Sequence, residues 1–170
     1  EVSDLARLHF DGTLTHQQLL NIKNLPRIEG LMFLSTCNRV EFMLCTAEEI
    51  TPAFIKIFFT TYLPASHAGQ TDWLCNNALV FEGEEALKHL FSIASSVDSL
   101  VVGEREIITQ VRNAFEKSKE LGLTNDLIRV VMRKTIEVAK EVYTETNIAT
   151  KPVSVVSLAY HKLRSHNITP

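Results

Sequence analysis

The chain is organised around the stretch STCNRVE, residues 35–41. It follows the apolar run LMFL, residues 31–34, and its last residues begin an alternating run that extends to Leu44. Two extended runs separated by a short polar segment are typical of a β-hairpin. We therefore predict two antiparallel strands, residues 29–36 and 39–46, joined by a turn that presents its central side chains at the rim of a small sheet.

The side chains of this turn are of types that carry out reactions. Cys37 is a nucleophile if its thiol is accessible and ionised, and Arg39 has a planar guanidinium that suits a carboxylate. Thr36 and Asn38 are small hydrogen-bonding residues that either orient a ligand or hold the turn itself. Structural alternatives stay open, because a lone cysteine is more often a buried apolar residue and Arg39 can simply pair with Glu41 across the turn.

The composition is that of an ordinary globular protein, with 45% hydrophobic and 22% charged residues among 170. Three cysteines without C-x-x-C spacing favour neither a disulfide framework nor a metal site, and Cys45 at a strand end and Cys75 in a loop have no reactive context. No apolar run is long enough to span a bilayer and no secretory signal is visible, so we expect a cytoplasmic protein without membrane insertion.

The charge is unevenly distributed along the chain. Residues 1–104 carry 6 Lys and Arg against 13 Asp and Glu, whereas residues 105–170 carry 11 against 7. The second half is therefore basic, and it either contacts phosphates or merely has solvated helix faces.

Periodicity and helix-breaking residues predict the elements of the first half. Leucines and isoleucines over residues 14–25 predict a short helix, and Thr51 followed by Pro52 begins another. We predict a loop over residues 64–72 and a short strand over residues 77–81.

From about residue 84 onward the pattern predicts helices. The first has an apolar stripe of Leu87, Leu90, Phe91 and Ala94, and it turns His89 toward a different face. Gly122 is expected to end a helix and Thr124 or Asn125 to cap the next. The apolar face of that next helix is expected to carry Leu127, Val130, Val131, Val138 and Val142. Pro152 marks a break before one more amphipathic helix, residues 153–163.

This order of elements predicts an α+β fold, in which helices pack on a small antiparallel sheet as a sandwich and a helical subdomain follows. The sheet is expected to contain three strands, residues 29–36, 39–46 and 77–81. One of its edges would be unprotected and prone to pair with another chain.

The turn resembles the active-site signature of the glutamyl-tRNA reductase family, and a second block agrees with it. That block contains HLF at residues 89–91, ASSVDSLVVGE at residues 94–104 and then Gln110 and Val111. Two motifs in the right order argue against coincidence. The resemblance covers roughly residues 2–164.

The resemblance implies that residues 1–150 are the N-terminal catalytic domain of an NADPH-dependent oxidoreductase of tetrapyrrole (porphyrin) biosynthesis. Residues 151–170 would begin its connecting helix. The family's first strand would precede Val2, and the NADPH-binding and dimerisation domains would be absent from this chain, which has no G-x-G-x-x-G motif. The chain alone would then lack reductase activity.

The resemblance also implies a reaction and its partners. Cys37 would attack the ester of glutamyl-tRNA to form a thioester, which the full-length enzyme reduces with NADPH to glutamate-1-semialdehyde. Implied partners are glutamyl-tRNA, a second subunit bound through the C-terminal domain, and the downstream aminomutase.

The remaining site residues are carried over from the family in the same way. Arg39 would bind the carboxylate of the glutamyl group, with Thr36 and Asn38 beside it, and His89 would position or protonate the ester. The glutamate pocket would be lined by Ser99, Glu104, Arg105, Glu106 and Gln110. We expect these groups to converge on one cleft.

The chain departs from the family pattern at two places. It has Arg105 and Glu106 where the family commonly has Pro-Gln, and Ser92 and Ser96 where the family often has Arg and Gly. Gly103, in contrast, is retained and permits a bend into the following helix.

Two other classes of function compete with an enzyme. One is a non-catalytic module of the same fold that binds glutamyl-tRNA or a partner protein, and the other is a helical interaction domain with coincidental motifs. An accessible thiol at Cys37 discriminates between them, because only catalysis needs one.

Overall fold

The computed structural model describes residues 12–63, 65–99, 102–104 and 106–149. These residues form, in chain order, α1 (Gly12–Lys23), β1 (Ile28–Ser35), β2 (Val40–Thr46), α2 (Pro52–Tyr62), a 3₁₀ helix (Ala65–Gln70), α3 (Thr71–Asn77), α4 (Gly83–Ala94), α5 (Glu106–Glu120), α6 (Asp126–Glu145) and a second 3₁₀ helix (Asn147–Ala149). The predicted α+β class is confirmed.

The chain divides into two compact units. The first comprises the chain up to Phe81 together with Asn113–Met132, and the second comprises Glu82–Arg112 together with the chain from Arg133 onward. Helices α5 and α6 each contribute residues to both units. The hairpin signature belongs to the first unit, and the second family motif belongs to the second.

The predicted hairpin is confirmed. β1 and β2 pair antiparallel, with Ser35 opposite Val40 and Met32 opposite Met43. The ladder is irregular near Ile28, at the end far from the turn. Alternation of side chains across the strands places two different sets of apolar residues on the two faces of the hairpin.

One face of the hairpin is anchored by aromatic packing against α2. Phe42 lies edge-on to Phe58, with ring centroids 5.0 Å apart, and edge-on to Tyr62 at 4.8 Å. Tyr62 is completely buried, and this burial raises the pKa of its phenol. Such ring pairs add to the free energy of burial, so the hairpin is a rigid base for the turn that it carries.

The outer edge of β1 is covered within the first unit. Leu31 donates its N–H to the carbonyl of Leu123 at 2.9 Å, and Phe33 donates to Ser118 Oγ at 3.2 Å. Ser118 is itself fixed, because its hydroxyl donates to the carbonyl of Ala114 at 2.8 Å. The C-terminal end of α5 and the residues after it therefore occupy the place of a further strand.

The outer edge of β2 is different. All seven residues of this strand are half-buried, and no third strand pairs with it among the residues that the structure describes. Whether this edge is unprotected, as expected from the sequence, stays a prediction. Its pairing with another chain stays a prediction.

The predicted third strand, residues 77–81, is wrong. Asn77 ends α3, and residues 78–82 have no regular secondary structure and are exposed, with Leu79 84% exposed. The prediction of a strand rested on the apolar composition of this run alone. The run does not pair with β1, because Leu31 and Phe33 on the outer edge of that strand already donate to Leu123 and Ser118.

The predicted loop over residues 64–72 is also wrong. A 3₁₀ helix, Ala65–Gln70, leads directly into α3, which buries Thr71 and Leu74. Cys75 therefore lies on a helix and packs against the core of the first unit instead of lying in a loop.

In the second unit, α4 begins at Gly83 as predicted, but its buried face differs from the predicted stripe. Leu90, Ile93 and Ala94 are buried, whereas Leu87 is 36% exposed. His89 shares a face with Ile93, which is fully buried, so the imidazole lies at the margin of the packed face rather than away from it.

The end of α5 and the start of α6 agree with the predictions from sequence, but the buried face of α6 differs from the predicted one. Gly122 has a φ of +69°, and Asn125 caps α6 by accepting the N–H of Ile128 at 3.0 Å. The predicted face residues Leu127 and Val130 are 56% and 52% exposed. The buried positions instead are Ile128, Met132, Thr135 and Ala139.

No described helix has both the length and the apolar composition needed to cross a bilayer. The expected break at Pro152 and the helix over residues 153–163 lie outside the described residues, as do residues 1–11.

Candidate active site

The turn of the hairpin, residues 35–39, is called here the cysteine turn. The Thr36 hydroxyl accepts the N–H groups of Asn38 and Arg39, both at 3.2 Å, and the Thr36 N–H donates to the carbonyl of Arg39 at 2.9 Å. Side-chain acceptors of this kind are common in turns, where they replace a backbone partner. Thr36 therefore has a clear structural role, and Asn38 contributes its backbone N–H.

Cys37 lies at the tip of this turn and is exposed. Cys45 is half-buried, with its sulfur 3.8 Å from Glu29 Oε2, and Cys75 is half-buried against the core. The alternative that Cys37 is a buried apolar residue is therefore wrong. Of the three thiols, this one is the most accessible to a macromolecular substrate.

Arg39 makes the ion pair that the sequence left open. Its Nη1 lies 3.1 Å from Glu41 Oε1, and the two side chains are only 15% and 26% exposed. The pair fixes the guanidinium beside the thiol-bearing turn. A guanidinium has five N–H donors, more than one carboxylate accepts, so this pairing is compatible with a further carboxylate ligand.

In the second unit, His89 lies near the C-terminal half of α4. Its side chain is 26% exposed, and its Nδ1 lies 4.0 Å from Asp98 Oδ2. The sequence argument singled out His89 but assigned no role to Asp98. Asp98 lies inside the second family motif, so the sequence did contain a signal for it. Only the fold shows that its carboxylate faces the imidazole of His89.

Asp98 belongs to the α4–α5 loop, residues 95–105. Ser96 is fully buried with a φ of +58°, and its Oγ accepts the N–H of Gly103 at 3.0 Å. Gly103 has a φ of +86°, and a Cβ at this position would collide with the carbonyl oxygen of Ile148. The predicted bend at Gly103 is therefore confirmed. The collision with Ile148 is a second reason why this position needs glycine.

The predicted pocket residues lie on or after this loop. Ser99 and Glu104 are half-buried, and the Glu104 carbonyl accepts the hydroxyl of Tyr143 at 2.9 Å. Gln110 donates its Nε2 to Glu106 Oε1 at 3.2 Å, which confirms that the two share one face of α5. Tyr143 was missed by the sequence argument, because an isolated tyrosine on an amphipathic helix gives no signal. Arg105 lies outside the described residues.

The site residues therefore form two groups. Thr36, Cys37, Asn38 and Arg39 lie together on the cysteine turn, in the first unit. His89, Ser99, Glu104, Glu106 and Gln110 belong to the second unit. Their convergence on one cleft stays a prediction.

A groove of about 400 Å³ on the first unit is not part of either group. It is lined by Pro26, Phe54 and Ile57 and by Glu48 and Glu49, which follow the end of β2 that lies far from the cysteine turn. Over the described ranges, no three His, Cys, Asp or Glu side chains cluster in a way that would hold a metal ion.

An α+β domain with an exposed thiol and a paired arginine on a rigid hairpin turn is suited to acyl transfer through cysteine. A model of the family described as glutamyl-tRNAGlu reductase, N-terminal domain, matches residues 1–146. The chain belongs to this family.

Individual relatives agree with the family assignment. Glutamyl-tRNA reductase of Alcanivorax borkumensis is 34% identical over 159 residues, which are 91% of this chain and 37% of that protein. The same-named protein of Syntrophus aciditrophicus is 39% identical over 135 residues, 79% of this chain and 31% of its own length. The chain thus spans about a third of the length of these curated relatives.

A solved structure is also similar. Glutamyl-tRNA reductase from Methanopyrus kandleri superposes with a TM-score of 0.70 at 28% identity, over 97% of this chain and 37% of the other.

Proposed function

We propose that this chain is the catalytic domain of a glutamyl-tRNA reductase and performs the acyl-transfer half of its reaction. The observation that carries the proposal is the exposed thiol of Cys37 at the tip of the cysteine turn. The turn is fixed by Thr36 and by the aromatic packing of the hairpin, so the sulfur is presented on a rigid support. Rigid presentation of a nucleophile reduces the entropy lost when the reacting atoms meet.

The proposed step is a transesterification. The sulfur of Cys37 attacks the carbonyl carbon of the aminoacyl ester, a carbon–sulfur bond forms and the bond to the ribose oxygen breaks. The proton of the thiol ends on the released ribose hydroxyl, so no other reactant is consumed. The product is a thioester on Cys37 and free tRNA, and a thioester accepts a hydride more readily than a carboxylate does.

Substrate selection is assigned to Arg39. Its guanidinium, which pairs with Glu41, would bind the side-chain carboxylate of the glutamyl group through two parallel hydrogen bonds. Thr36 and Asn38 would complete the binding turn. A glutamine amide cannot accept both bonds, so a bidentate contact selects glutamate.

The second unit would supply the remaining groups. We propose His89 for positioning or protonating the ester oxygen, and Ser99, Glu104, Glu106 and Gln110 for the glutamate pocket. From the family resemblance, we also propose that Arg105 lines the glutamate pocket. The proposal requires that these groups lie near Cys37 when the substrate is bound.

NADPH would supply the hydride that reduces the thioester in the longer enzyme. The sequence of this chain has no G-x-G-x-x-G motif, and the two described strands are antiparallel rather than part of a βαβ unit, so its residues do not fit that cofactor. We derive no reduction step from them. Dimerisation through a further domain, contact with the downstream aminomutase and a cytoplasmic location are proposed for the longer enzyme.

The test is acylation of the isolated chain by glutamyl-tRNA, followed by intact-protein mass spectrometry. We expect an adduct that neutral hydroxylamine removes, as a thioester requires, and no glutamate-1-semialdehyde even with NADPH present. Cys37→Ser should abolish the adduct. Cys45→Ser is the matched control, since Cys45 is a half-buried thiol on the same hairpin, and Cys75→Ser is a second; both should retain the adduct.

Arg39→Lys tests substrate selection, because lysine keeps the charge but not the planar fork. Loss of one charge-assisted hydrogen bond should slow acylation about 10- to 100-fold. The same variant should discriminate less well between glutamyl-tRNA and glutaminyl-tRNA. An unchanged ratio of the two rates would remove Arg39 from substrate recognition and leave it a structural role in the turn.

Binding of glutamyl-tRNA without acylation, unaffected by Cys37→Ser, would instead support the non-catalytic module. Formation of aldehyde by this chain alone would show that the cofactor site has been wrongly excluded from it.

A further inference from the structure

The groove of about 400 Å³ on the first unit takes no part in the proposed reaction, and it is called here the acidic groove. Volumes of this size are typical of ligand sites. Most of its lining residues are apolar, and the set comprises Leu25, Pro26, Glu48, Glu49, Thr51, Ala53, Phe54 and Ile57. All of them lie within the described range 12–63, between the α1–β1 connection and the start of α2. The groove is therefore a feature of one unit alone.

Two side chains of α2 contribute much of the apolar surface. Ile57 is 56% exposed, whereas Phe58 beside it is buried in the core. Phe54 is half-buried and stacks on Phe58, with ring centroids 6.4 Å apart. A single exposed apolar side chain on a convex surface needs no explanation. Ile57, however, lines a concave surface together with Phe54 and Pro26, where an apolar group of a ligand is shielded from water on several sides.

Two carboxylates border this apolar surface, on the segment between β2 and α2. Local hydrogen bonds fix the segment, since the Glu48 N–H donates to Thr46 Oγ1 at 3.0 Å and the Glu49 carbonyl accepts the Thr51 N–H at 2.9 Å. Glu48 pairs with Arg27 at 3.4 Å, but the two side chains are 38% and 63% exposed, and such pairs contribute little to stability. Glu49 is exposed, and no described side chain pairs with it. The groove therefore offers negative charge to a cation from outside.

A structural role for these carboxylates explains less of the arrangement. Negative charge is favourable near the N-terminus of a helix, and Glu49 lies just before α2. That terminus is already capped, because the Thr51 hydroxyl accepts the N–H of Phe54 at 3.2 Å. The charge of Glu49 thus suits the helix, but the helix does not account for the open apolar surface beside it.

We propose that the acidic groove is a docking site for a segment of another protein in which apolar side chains stand next to lysine or arginine. The apolar side chains fill the concavity against Phe54 and Ile57, and the cations pair with Glu48 and Glu49. Nucleic acid is disfavoured here, because its phosphates would face the same two carboxylates. The docking site does not rest on the proposed reaction.

The acidic groove is well separated from the cysteine turn. It adjoins the end of β2 that lies far from the turn, and Val40 and Thr46, at the two ends of this strand, are about 20 Å apart. A segment seated in the groove therefore leaves Cys37 open. The partner and an acyl donor are expected to bind at the same time.

The test uses synthetic peptides of about ten residues on the 170-residue chain. The first alternates leucine with arginine, the second leucine with glutamine, and the third serine with arginine. Fluorescence anisotropy gives the Kd, and backbone amide NMR spectra locate the bound peptide. We expect the leucine–arginine peptide to bind most tightly, to shift the amide signals of residues 48–57, and to bind more weakly as salt is raised.

Substitutions in the acidic groove should weaken this binding. Ile57→Ala should raise the Kd about 5- to 10-fold, and Leu127→Ala is its matched control, because Leu127 is also a helix residue that is 56% exposed. Replacing Glu48 and Glu49 together by glutamine should raise the Kd about 3- to 10-fold. The same double replacement at Glu84 and Glu85, two adjacent exposed carboxylates of α4, should leave it unchanged.

Several results would overturn the proposal. Equal binding of the leucine–glutamine peptide would show that the groove takes any apolar ligand, and equal losses in Ile57→Ala and Leu127→Ala would place the peptide elsewhere. A dimer in sedimentation velocity that Ile57→Ala dissociates would identify a second copy of this chain as the occupant. Slower modification of Cys37 by a thiol reagent in the presence of the peptide would show that the peptide covers the cysteine turn.

Discussion

The cysteine turn and the α4–α5 loop each contain residues that the sequence predicted to be functional, and different interactions stabilise them. In the turn, one hydroxyl, that of Thr36, accepts two backbone N–H groups, and the tip residue Cys37 is exposed. In the loop, the backbone is bonded to itself and to α4, and both Ser96 and Gly103 have positive φ. The turn therefore depends on a side chain, whereas the loop depends on backbone conformation.

This difference has a chemical consequence. The turn is held by the Thr36 hydroxyl and one backbone hydrogen bond, so the side chain of Cys37 is not needed to stabilise it, which is compatible with the nucleophilic role proposed for this residue. A loop with buried residues and positive φ tolerates few changes. Substitutions should therefore cost more stability in the loop than in the turn.

The largest expected effect on stability is that of Gly103→Ala. Alanine would be strained at a φ of +86°, and its Cβ would meet the carbonyl oxygen of Ile148, a backbone atom that cannot move aside alone. Strain and overpacking together should cost about 3 kcal/mol, which lowers Tm by roughly 10 °C. Thermal unfolding followed by circular dichroism measures this.

Gly122→Ala is the matched control for that experiment. Gly122 also has a positive φ, +69°, but a Cβ there would meet no atom within 4 Å. It should cost only the strain, about 1 kcal/mol. Equal losses for the two variants would show that Ile148 does not crowd Gly103.

The next effect is that of Thr36→Val in the cysteine turn. Valine has nearly the same shape but cannot accept the N–H groups of Asn38 and Arg39, and this should cost about 1 kcal/mol. Thr36→Ser keeps the acceptor and should restore most of the loss. The rate at which a thiol reagent modifies Cys37 provides a local readout, and it should change in the valine variant only.

If Thr36→Val destabilised the chain as much as Gly103→Ala, the contrast between the two regions would be wrong. The turn would then be as tightly determined as the loop.

The sequence predicted the turn better than the loop for a physical reason. A hairpin follows from local alternation, and its side-chain acceptor is adjacent in sequence, so residues 35–41 contain what is needed. The run at residues 77–81 has strand composition, but one edge on which it could pair, that of β1, is covered by Leu123 and Ser118, which lie about forty residues further along the chain. Local patterns cannot predict such competition for an edge.

Local patterns also could not predict which helix residues are buried. α6 has apolar residues around much of its circumference, so periodicity alone could not choose Ile128 and Met132 over Leu127 and Val130. In the candidate site, the residue types of the turn and the family resemblance pointed to Cys37, and the family resemblance pointed to His89. The pairing of Arg39 with Glu41 was open from the sequence, because the two residues are two apart on the hairpin, whereas the contact of His89 with Asp98 depends on the fold of the α4–α5 loop.

The smallest effect, and the sharpest test of the loop, is expected for Ser96→Gly. The serine has a φ of +58°, a conformation that costs an L-residue about 1 kcal/mol and costs glycine little. Glycine loses the hydroxyl that accepts the Gly103 N–H, but this N–H also reaches the Ser96 carbonyl at 3.2 Å and so keeps a partner. The net change should be a stabilisation of less than about 1 kcal/mol.

Ser96→Ala separates the loss of the hydroxyl from the relief of backbone strain. It removes the same hydroxyl but retains the strain, so it should be less stable than wild type. Chemical denaturation of the three chains measures both differences. If the alanine variant were as stable as the glycine variant, the positive φ at residue 96 would carry no strain, and the loop would not depend on backbone conformation at this position.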